Sequence, residues 1–292
     1  MDKKYSQLPV STLFVVTRNE SDQIENLLQN FHKADWDNRD IAVFEFRNRP
    51  INIMGSITKE EYWDKHWEKT IFEIAPKNHP LRQWIEKEIP STTTASCIEI
   101  GCYPGKFLSI FGEKGYELNG IDLFSGVSSL SDWLKNRGYR CGDFYEADFI
   151  NFAPATSYDL VCSFGFIEHF KNWSEILDKH LKLLKSGGKI IIDVPNLNSP
   201  AYYYFYKLFE PKVIESHVSS SMDLGAIKSE LIKKGCQINY AGYIGYFYFR
   251  FVTKHSIFYG GLSVLINLLR PLLHLFPESV YKRYIGIIAT KM

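Results

Sequence analysis

The chain lacks the cysteine pattern of a disulfide-stapled or zinc-bearing domain. Its 292 residues hold five cysteines, an odd count, and no two stand in a C-x-x-C pair. Neither a disulfide framework nor a structural zinc site is expected from that spacing, and it suits a reducing cytoplasm. An excess of one charge is missing too. Lys+Arg 34 against Asp+Glu 33 gives a formal net charge of +1, without the electrostatic footprint of a nucleic-acid binder. The opening residues contain no apolar run long enough for a signal peptide. The most apolar stretch, 257–276, is interrupted by Asn267, Arg270, Pro271 and His274. A spanning helix would have to bury these, so the stretch reads as soluble or as a peripheral membrane contact. Repeats and low-complexity tracts are absent. A 45% hydrophobic share excludes general disorder.

What the chain has in excess is aromatic: 18 Tyr and 21 Phe must be accommodated either as core or as a binding surface. Residues 1–57 read as a small N-terminal α/β appendage. It has a strand over 12–16, a helix in which Ile24, Leu27, Leu28 and Phe31 follow Ser21, and a strand over 41–46. The domain from 58 to 292 opens with a helical pattern, punctuated by Pro90 and STTTAS. Strands are then expected over 97–101, 117–123, 141–147, 158–164, 189–194, 236–244 and 283–290. Helical patterns fall at 105–114, 127–137, 172–185 and 224–234, and a largely helical insertion at 246–281. Alternation of this kind means an α/β domain with a parallel sheet covered on both faces.

The chemistry is carried first by CIEIGCYPGKF, residues 97–107. A strand ends in acidic Glu99 and runs into Gly101 and Gly105. At the carboxyl end of the first strand of an open sheet, glycines let the backbone turn and approach a ligand. The spacing is not G-x-G-x-x-G, because Tyr103 stands two after Gly101, and this disfavours a dinucleotide. Asp122 closes the next strand, 21 residues beyond Gly101. An acid there accepts hydrogen bonds from ribose hydroxyls, so the pair of signals describes an adenosine-containing ligand.

With YEADFINF, YDLVCSFGFIEHF, LKSGGKIIIDVPN and SHVSSSMDLGAIKSELIKKG following in order, the chain from about Tyr62 onward resembles the class I S-adenosylmethionine-dependent methyltransferases. It is most similar to the branch containing ubiquinone-biosynthesis and glycan-tailoring enzymes. The resemblance implies a Rossmann-like three-layer sandwich whose seven-stranded sheet is mostly parallel with the last strand antiparallel. The cofactor implied is S-adenosyl-L-methionine. Glu99, Gly101, Tyr103 and Gly105 would lie at its methionine part, and Asp122 and Leu123 at the ribose. Asp148 and Phe149 would meet the adenine, and Ser163, Phe164 and Ile167 would line the site. Tyr62 or Trp63 would close over the methionine end. In the metal-binding quinone-type enzymes that resemble this region, a glutamate stands three residues before the Glu-His pair. Here that position is Gly165, so no metal is expected on Glu168 and His169.

Methyl transfer needs a nucleophile held in line, and a hydroxyl nucleophile benefits from a base. His169 and His217 are the candidates, with a structural bracing role as the alternative for each. The aromatic run at 199–211 is expected as a loop or lid over the site, with Tyr203 and Tyr206 on the substrate; packing of a helix into the core is the other reading. The function expected is methylation of a small molecule or a glycan or lipid-linked acceptor, at oxygen. The rivals are a nicotinamide-dependent oxidoreductase and a catalytically silent cofactor-binding subunit. The oligomeric state is left open.

Overall fold

The computed structural model describes residues 72–153, 156–254 and 256–292. The chain divides into two units, Met1–Asn52 and Ile53–Met292, and every described residue belongs to the second. The expected appendage elements, the helical pattern around YWDKHWEK, and Tyr62 and Trp63 lie outside the described residues.

In chain order the elements are α1 (Pro80–Glu88), β1 (Ser96–Ile100), α2 (Leu108–Glu113), β2 (Glu117–Asp122), α3 (Val127–Asn136), β3 (Cys141–Glu146), β4 (Tyr158–Phe164) and α4 (Trp173–Lys182). Then come β5 (Leu184–Pro195), α5 (Pro200–Phe209), α6 (Pro211–Glu215), α7 (Leu224–Lys233), β6 (Cys236–Ile244), α8 (Ile257–Asn267), α9 (Arg270–Leu273), α10 (Glu278–Tyr281) and β7 (Tyr284–Lys291). One seven-stranded sheet runs in the order β3-β2-β1-β4-β5-β7-β6. Neighbours from β3 to β5 pair parallel, and β7 pairs antiparallel with both β5 and β6. The architecture is the expected α/β Rossmann-like sandwich, with the last strand reversed.

The period-two alternation of each strand splits the core into two layers. Ile98, Ile100, Val161, Ile190, Ile192 and Val194 face a cluster built with α4, α5 and α7. Cys97, Leu118, Leu160, Cys162 and Ile191 face the opposite cluster, built with α1, α2 and α3. Because the chain runs outward from β1 to β3 and then resumes at β4 on the other side of β1, the carboxyl ends of β1 and β4 flank a topological switch point.

The edge beside β3 depends on one side chain. The pairing of β2 with β3 shifts register between Leu118 and Gly120. Asn119 fills the irregularity: its Nδ2 donates to the Cys97 and Glu117 carbonyls at 3.1 and 3.3 Å, and its Oδ1 accepts from Asp143 N–H at 2.7 Å. Gly142 permits this, since a Cβ there would run into Asn119 Oδ1. Asn119→Leu should therefore destabilise the fold by about 1–3 kcal/mol, the cost of leaving buried polar groups unpaired, measurable as a lowered denaturation midpoint with unchanged slope.

Candidate active site

Two glycines shape the turn after β1. Gly101 has φ +70° and Gly105 has φ +85°, values that glycine alone adopts freely. Space demands them as well: a Cβ on Gly101 would lie 3.0 Å from the Phe166 ring, and one on Gly105 would collide with Leu130 of α3. Gly101 N–H donates to the Ile121 carbonyl at 2.9 Å, which ties the turn to β2.

Asp122 braces this turn against the one after β2. Its Oδ2 accepts from Tyr103 N–H and its Oδ1 from Phe124 N–H, both at 3.0 Å, and the Leu123 backbone also contributes. Burial pushes its carboxyl up to about 6, and the amide donors oppose the rise. Glu99, one residue from the end of β1, is more isolated. Burial, and then the charge of Asp122, push its carboxyl well above the usual carboxylate range. Its Oε2 is buried without a hydrogen-bond partner. A buried carboxyl oxygen with no donor among the described residues, beside a glycine turn at the switch point, is suited to accepting a ligand's donor.

Tyr103 is buried, with its ring against Phe124 at 4.6 Å and Phe72 at 5.5 Å. Asp148 accepts from Ile150 N–H and from Asn151 Nδ2, at 2.9 and 2.8 Å. The Phe149 ring packs edge-on against His180 at 4.9 Å and Phe166 at 5.8 Å. Phe164 turns to the α2 side, with its ring 4.8 Å from Phe107, and Ile167 lies wholly in the core.

Ser163 is fully buried and faces His180 of α4. His180 Nδ1 lies 2.8 Å from the Ile176 carbonyl, which can only accept, so Nδ1 carries the proton. His180 Nε2 then accepts from the Ser163 hydroxyl at 3.1 Å. Burial lowers the His180 pKa to about 4, so the ring is neutral at neutral pH. Sequence reasoning missed this histidine and Phe166. The signal for His180 is its place on the buried stripe of α4, with Ile176, Leu177 and Leu181.

A second cluster forms where the segment after β4 meets the segment after α6. Glu168, His169 and His217 each offer a ligand atom within 4.8 Å of the others. His169 Nδ1–H donates to the Ser216 carbonyl at 3.0 Å, and His217 Nδ1–H donates to the Val213 carbonyl at 2.6 Å. In both rings Nε2 is therefore the lone-pair nitrogen. Burial, and then the neighbouring His217, lower the His169 pKa to about 3, and burial lowers that of His217. Burial raises the Glu168 carboxyl well above its ordinary value, and its Oε2 has no partner. Histidines whose Nδ1–H groups are held by carbonyls, beside a carboxyl, can accept a proton or fit a divalent cation. Gly165 removes the glutamate expected of a metal-binding relative, but His217 supplies a third donor that the motif spacing did not reveal.

The aromatic run is a helix, α5, and not a loop. Tyr206, expected on the substrate, is buried instead: its ring packs 4.9 Å from Phe249 and its hydroxyl donates to the Arg250 carbonyl at 3.3 Å. Tyr203 stays half-buried, beneath Lys207 Nζ at 5.2 Å.

The profile of a methyltransferase domain family matches residues 66–239, more than half of the chain and all of the glycine turn, Asp122, Ser163 and His217. The chain belongs to this methyltransferase domain family. Among curated proteins it is 30% identical over 129 residues to trans-aconitate 2-methyltransferase of Rhizobium rhizogenes, covering 43% of this chain and 48% of that one. It is 26% identical over 148 residues to the ubiquinone biosynthesis O-methyltransferase of Stutzerimonas stutzeri, covering 49% and 61%. The chain thus spans about half the length of the curated relatives it matches. Among solved structures, YjhP from E. coli superposes with TM-score 0.51 at 11% identity, covering 79% of this chain and 99% of that one; the likeness is one of fold.

The Ser163–His180 pair lies under the floor of the site, and its titration is tied to stability. The folded-state pKa of His180 lies below the unfolded value near 6.5. The unfolded chain therefore takes up the proton first as pH falls, and the wild type loses this part of its stability from about pH 6.5 downward. His180→Gln should be less stable than wild type at pH 7. The gap should narrow toward pH 4 by up to about 1.4 kcal/mol per pH unit, followed by chemical denaturation at a series of pH values.

Proposed function

We propose that this chain transfers a methyl group from S-adenosyl-L-methionine to a hydroxyl oxygen of a small-molecule or glycan acceptor. The observation that carries the reading is the edge formed by Glu99, Gly101, Gly105 and Asp122: a tight glycine turn flanked by the half-buried Asp122 carboxyl and by the buried Glu99 carboxyl, which keeps an unpartnered oxygen. The family membership supports it, and so do the names of the curated relatives, which are small-molecule methyltransferases. Tyr103, packed where a dinucleotide turn needs glycine, speaks against a nicotinamide cofactor.

When bound, the sulfonium of S-adenosyl-L-methionine would supply an activated methyl group to the acceptor oxygen, with sulfur leaving with the electron pair of the S–CH3 bond. In this reading the protein's residues do the rest. Asp122 accepts from the ribose hydroxyls, and Glu99 takes the donor its Oε2 lacks. Asp148 and Phe149 hold the base. The lone-pair nitrogen of His169 or His217 takes the acceptor's proton; burial keeps both rings neutral at pH 7 and also weakens them as bases, so the oxygen gives up its proton only as the new bond forms. Fixing the partners in line supplies several kcal/mol of the acceleration.

Calorimetric titration with S-adenosylhomocysteine tests this. Binding is expected at pH 7, and no binding by the folded protein would overturn the reading. The ribose hydroxyls donate to an ionised Asp122, whose free-state pKa is about 6. Affinity should therefore be level above pH 6 and fall about tenfold per pH unit below it. Asp122→Asn should bind more weakly at pH 7 and lose that slope.

A peripheral membrane contact for the same enzyme is favoured by one surface. Helix α8 and the residues after it turn Ile257, Phe258, Val264, Leu265, Leu268, Leu272, Leu275 and Phe276 outward, with Ile257 97% and Leu275 82% exposed. No Asp or Glu occurs from residue 246 to 277, whereas Arg250, Lys254 and Arg270 do. Lys254 and Arg270 lie over the Tyr259 and Tyr246 rings at 4.9 and 4.0 Å. An apolar face with a cationic border fits an anionic lipid surface. Among the described residues no helix is long and apolar enough to cross a membrane. The protein should co-float with vesicles containing phosphatidylglycerol and less with pure phosphatidylcholine, and the double variant Leu268→Glu, Leu272→Glu should stay behind. Self-association without lipid, abolished by the same variant, would assign the face to a second copy instead.

A further inference from the structure

The edge of the sheet that carries the glycine turn continues into a separate cavity of about 220 Å³. Its walls include Asn78, His79, Tyr246, Tyr248, Arg283 and Tyr284. The sheet register places it. Tyr284 stands opposite Pro195 at the carboxyl end of β5 and opposite Ile244 at the carboxyl end of β6. The cavity therefore opens on the same edge as Gly101 and Asp122. Aromatic rings join the two places: His79 lies 5.2 Å from Phe107, two residues past Gly105, and Phe107 lies 4.8 Å from Phe164 at the end of β4.

Arg283 is the distinctive wall. Its guanidinium lies 5.4 Å from the Tyr248 ring and 5.2 Å from the Tyr284 ring, and the residue is half-buried. Among the described residues no carboxylate forms an ion pair with it and no acceptor takes a hydrogen bond from it. Its sequence neighbour Lys282 is paired with Glu278, and the buried Arg82 is paired with both Glu86 and Glu113. The acid that faces it electrostatically is Asp193, which is buried; burial raises its carboxyl well above the usual range and Arg283 opposes the rise. His79 adds a donor. Its Nδ1 accepts from Leu81 N–H at 3.3 Å, so in the neutral ring Nε2 carries the hydrogen. Burial keeps that ring neutral, with its pKa lowered to about 4. The wall is also braced. The Tyr202 hydroxyl accepts from Tyr248 N–H at 3.0 Å and donates to the Tyr246 carbonyl at 3.4 Å.

A guanidinium beside two tyrosine rings, with its N–H groups unspent among the described residues and further donors beside it, is organised to receive a planar or tetrahedral oxyanion. We propose that this cavity is the acceptor's seat and that Arg283 anchors an anionic group of the acceptor, a carboxylate or a phosphate. The assignment as acceptor seat rests on the methyl-transfer reading above; the anion site itself does not. Acceptors with such a group would be selected over neutral analogues, with the hydroxyl to be methylated projecting toward the glycine turn.

The test uses the full chain without S-adenosylhomocysteine. Inorganic phosphate and acetate are titrated in at constant ionic strength, and the arginine Nε–H signals are followed by NMR. One signal, missing in Arg283→Lys, should shift saturably with at least one of the two anions, and their relative affinities distinguish a phosphate from a carboxylate site. Arg283→Gln should weaken this binding by about tenfold or more, the worth of a charge-assisted hydrogen bond. Arg137→Gln, just past α3, should leave it unchanged. S-adenosylhomocysteine affinity should be the same in Arg283→Gln as in wild type. No saturable shift with either anion overturns the inference while leaving the methyl-transfer reading intact. Loss of S-adenosylhomocysteine binding in a folded Arg283→Gln would move Arg283 to the cofactor and also overturn it. Anion binding by a wild type that fails to bind S-adenosylhomocysteine would keep the anion site and remove its assignment to a methyl acceptor.

Discussion

The constraint on which the site depends is the desolvation of carboxyl groups along one edge of the sheet. Glu99, Asp122, Glu168 and Asp193 stand at or near the ends of β1, β2, β4 and β5, and burial raises the pKa of each. Water has little access to them there, so each gains from a donor of the protein or of a ligand. Asp122 has its donors in the backbone of the two turns it joins. The other three each keep an oxygen without a partner. A core of this kind would be more stable with apolar residues at those positions. Their gathering at the carboxyl ends of the strands is what suits that edge to a ligand's donors.

The same edge explains the glycine turn. A carboxyl on β2 can accept from Tyr103 N–H only if the chain after β1 curls back over the sheet, and Gly101 and Gly105 are the positions where it does. Phe166 occupies the space a Gly101 side chain would need, and Phe149 and His180 pack behind it. Neutral His180 then ties α4 to Ser163 on β4. The floor of the site is thus fixed by packing and by one tautomer.

Much of this was legible in the sequence because local rules carry it. The Tyr158–Phe164 and Cys236–Ile244 strands, the glycine spacing and the acid at Asp122 all derive from short-range pattern. The rest was not legible because it depends on phase or on distant partners. Every position of YYYFY is aromatic, so nothing in the sequence says which face of α5 is buried. The structure chooses Tyr202 and Tyr206, four residues apart, and packs them on Phe247 and Phe249. His217 joins His169 across 48 residues, which no motif spacing encodes. Arg283 gave no signal at all, since its meaning is that no described residue pairs with it.

The run from Tyr246 to Phe251 shows how a strand-like sequence ends up elsewhere. Its alternation is real: Phe247, Phe249 and Phe251 are buried, while Tyr248 and Arg250 point outward. Yet β6 stops at Ile244, and among the described residues no strand pairs with positions 245–251. Side chains take the place of a ladder. Tyr248 N–H donates to the Tyr202 hydroxyl, Phe249 N–H to Asn267 Oδ1, and Val252 and Thr253 N–H to the buried Glu210 carboxyl. Backbone donors are satisfied in this way without extending the sheet. The outward tyrosines are then available to line a cavity, and Arg270 of the inserted helices lies on one of them, Tyr246. Asn267, at the end of α8, also accepts from and donates to Phe249 of the same run. The exposed apolar helices and the Arg283 cavity are therefore held by one six-residue segment, and neither can shift far without disturbing the contacts that fix the other.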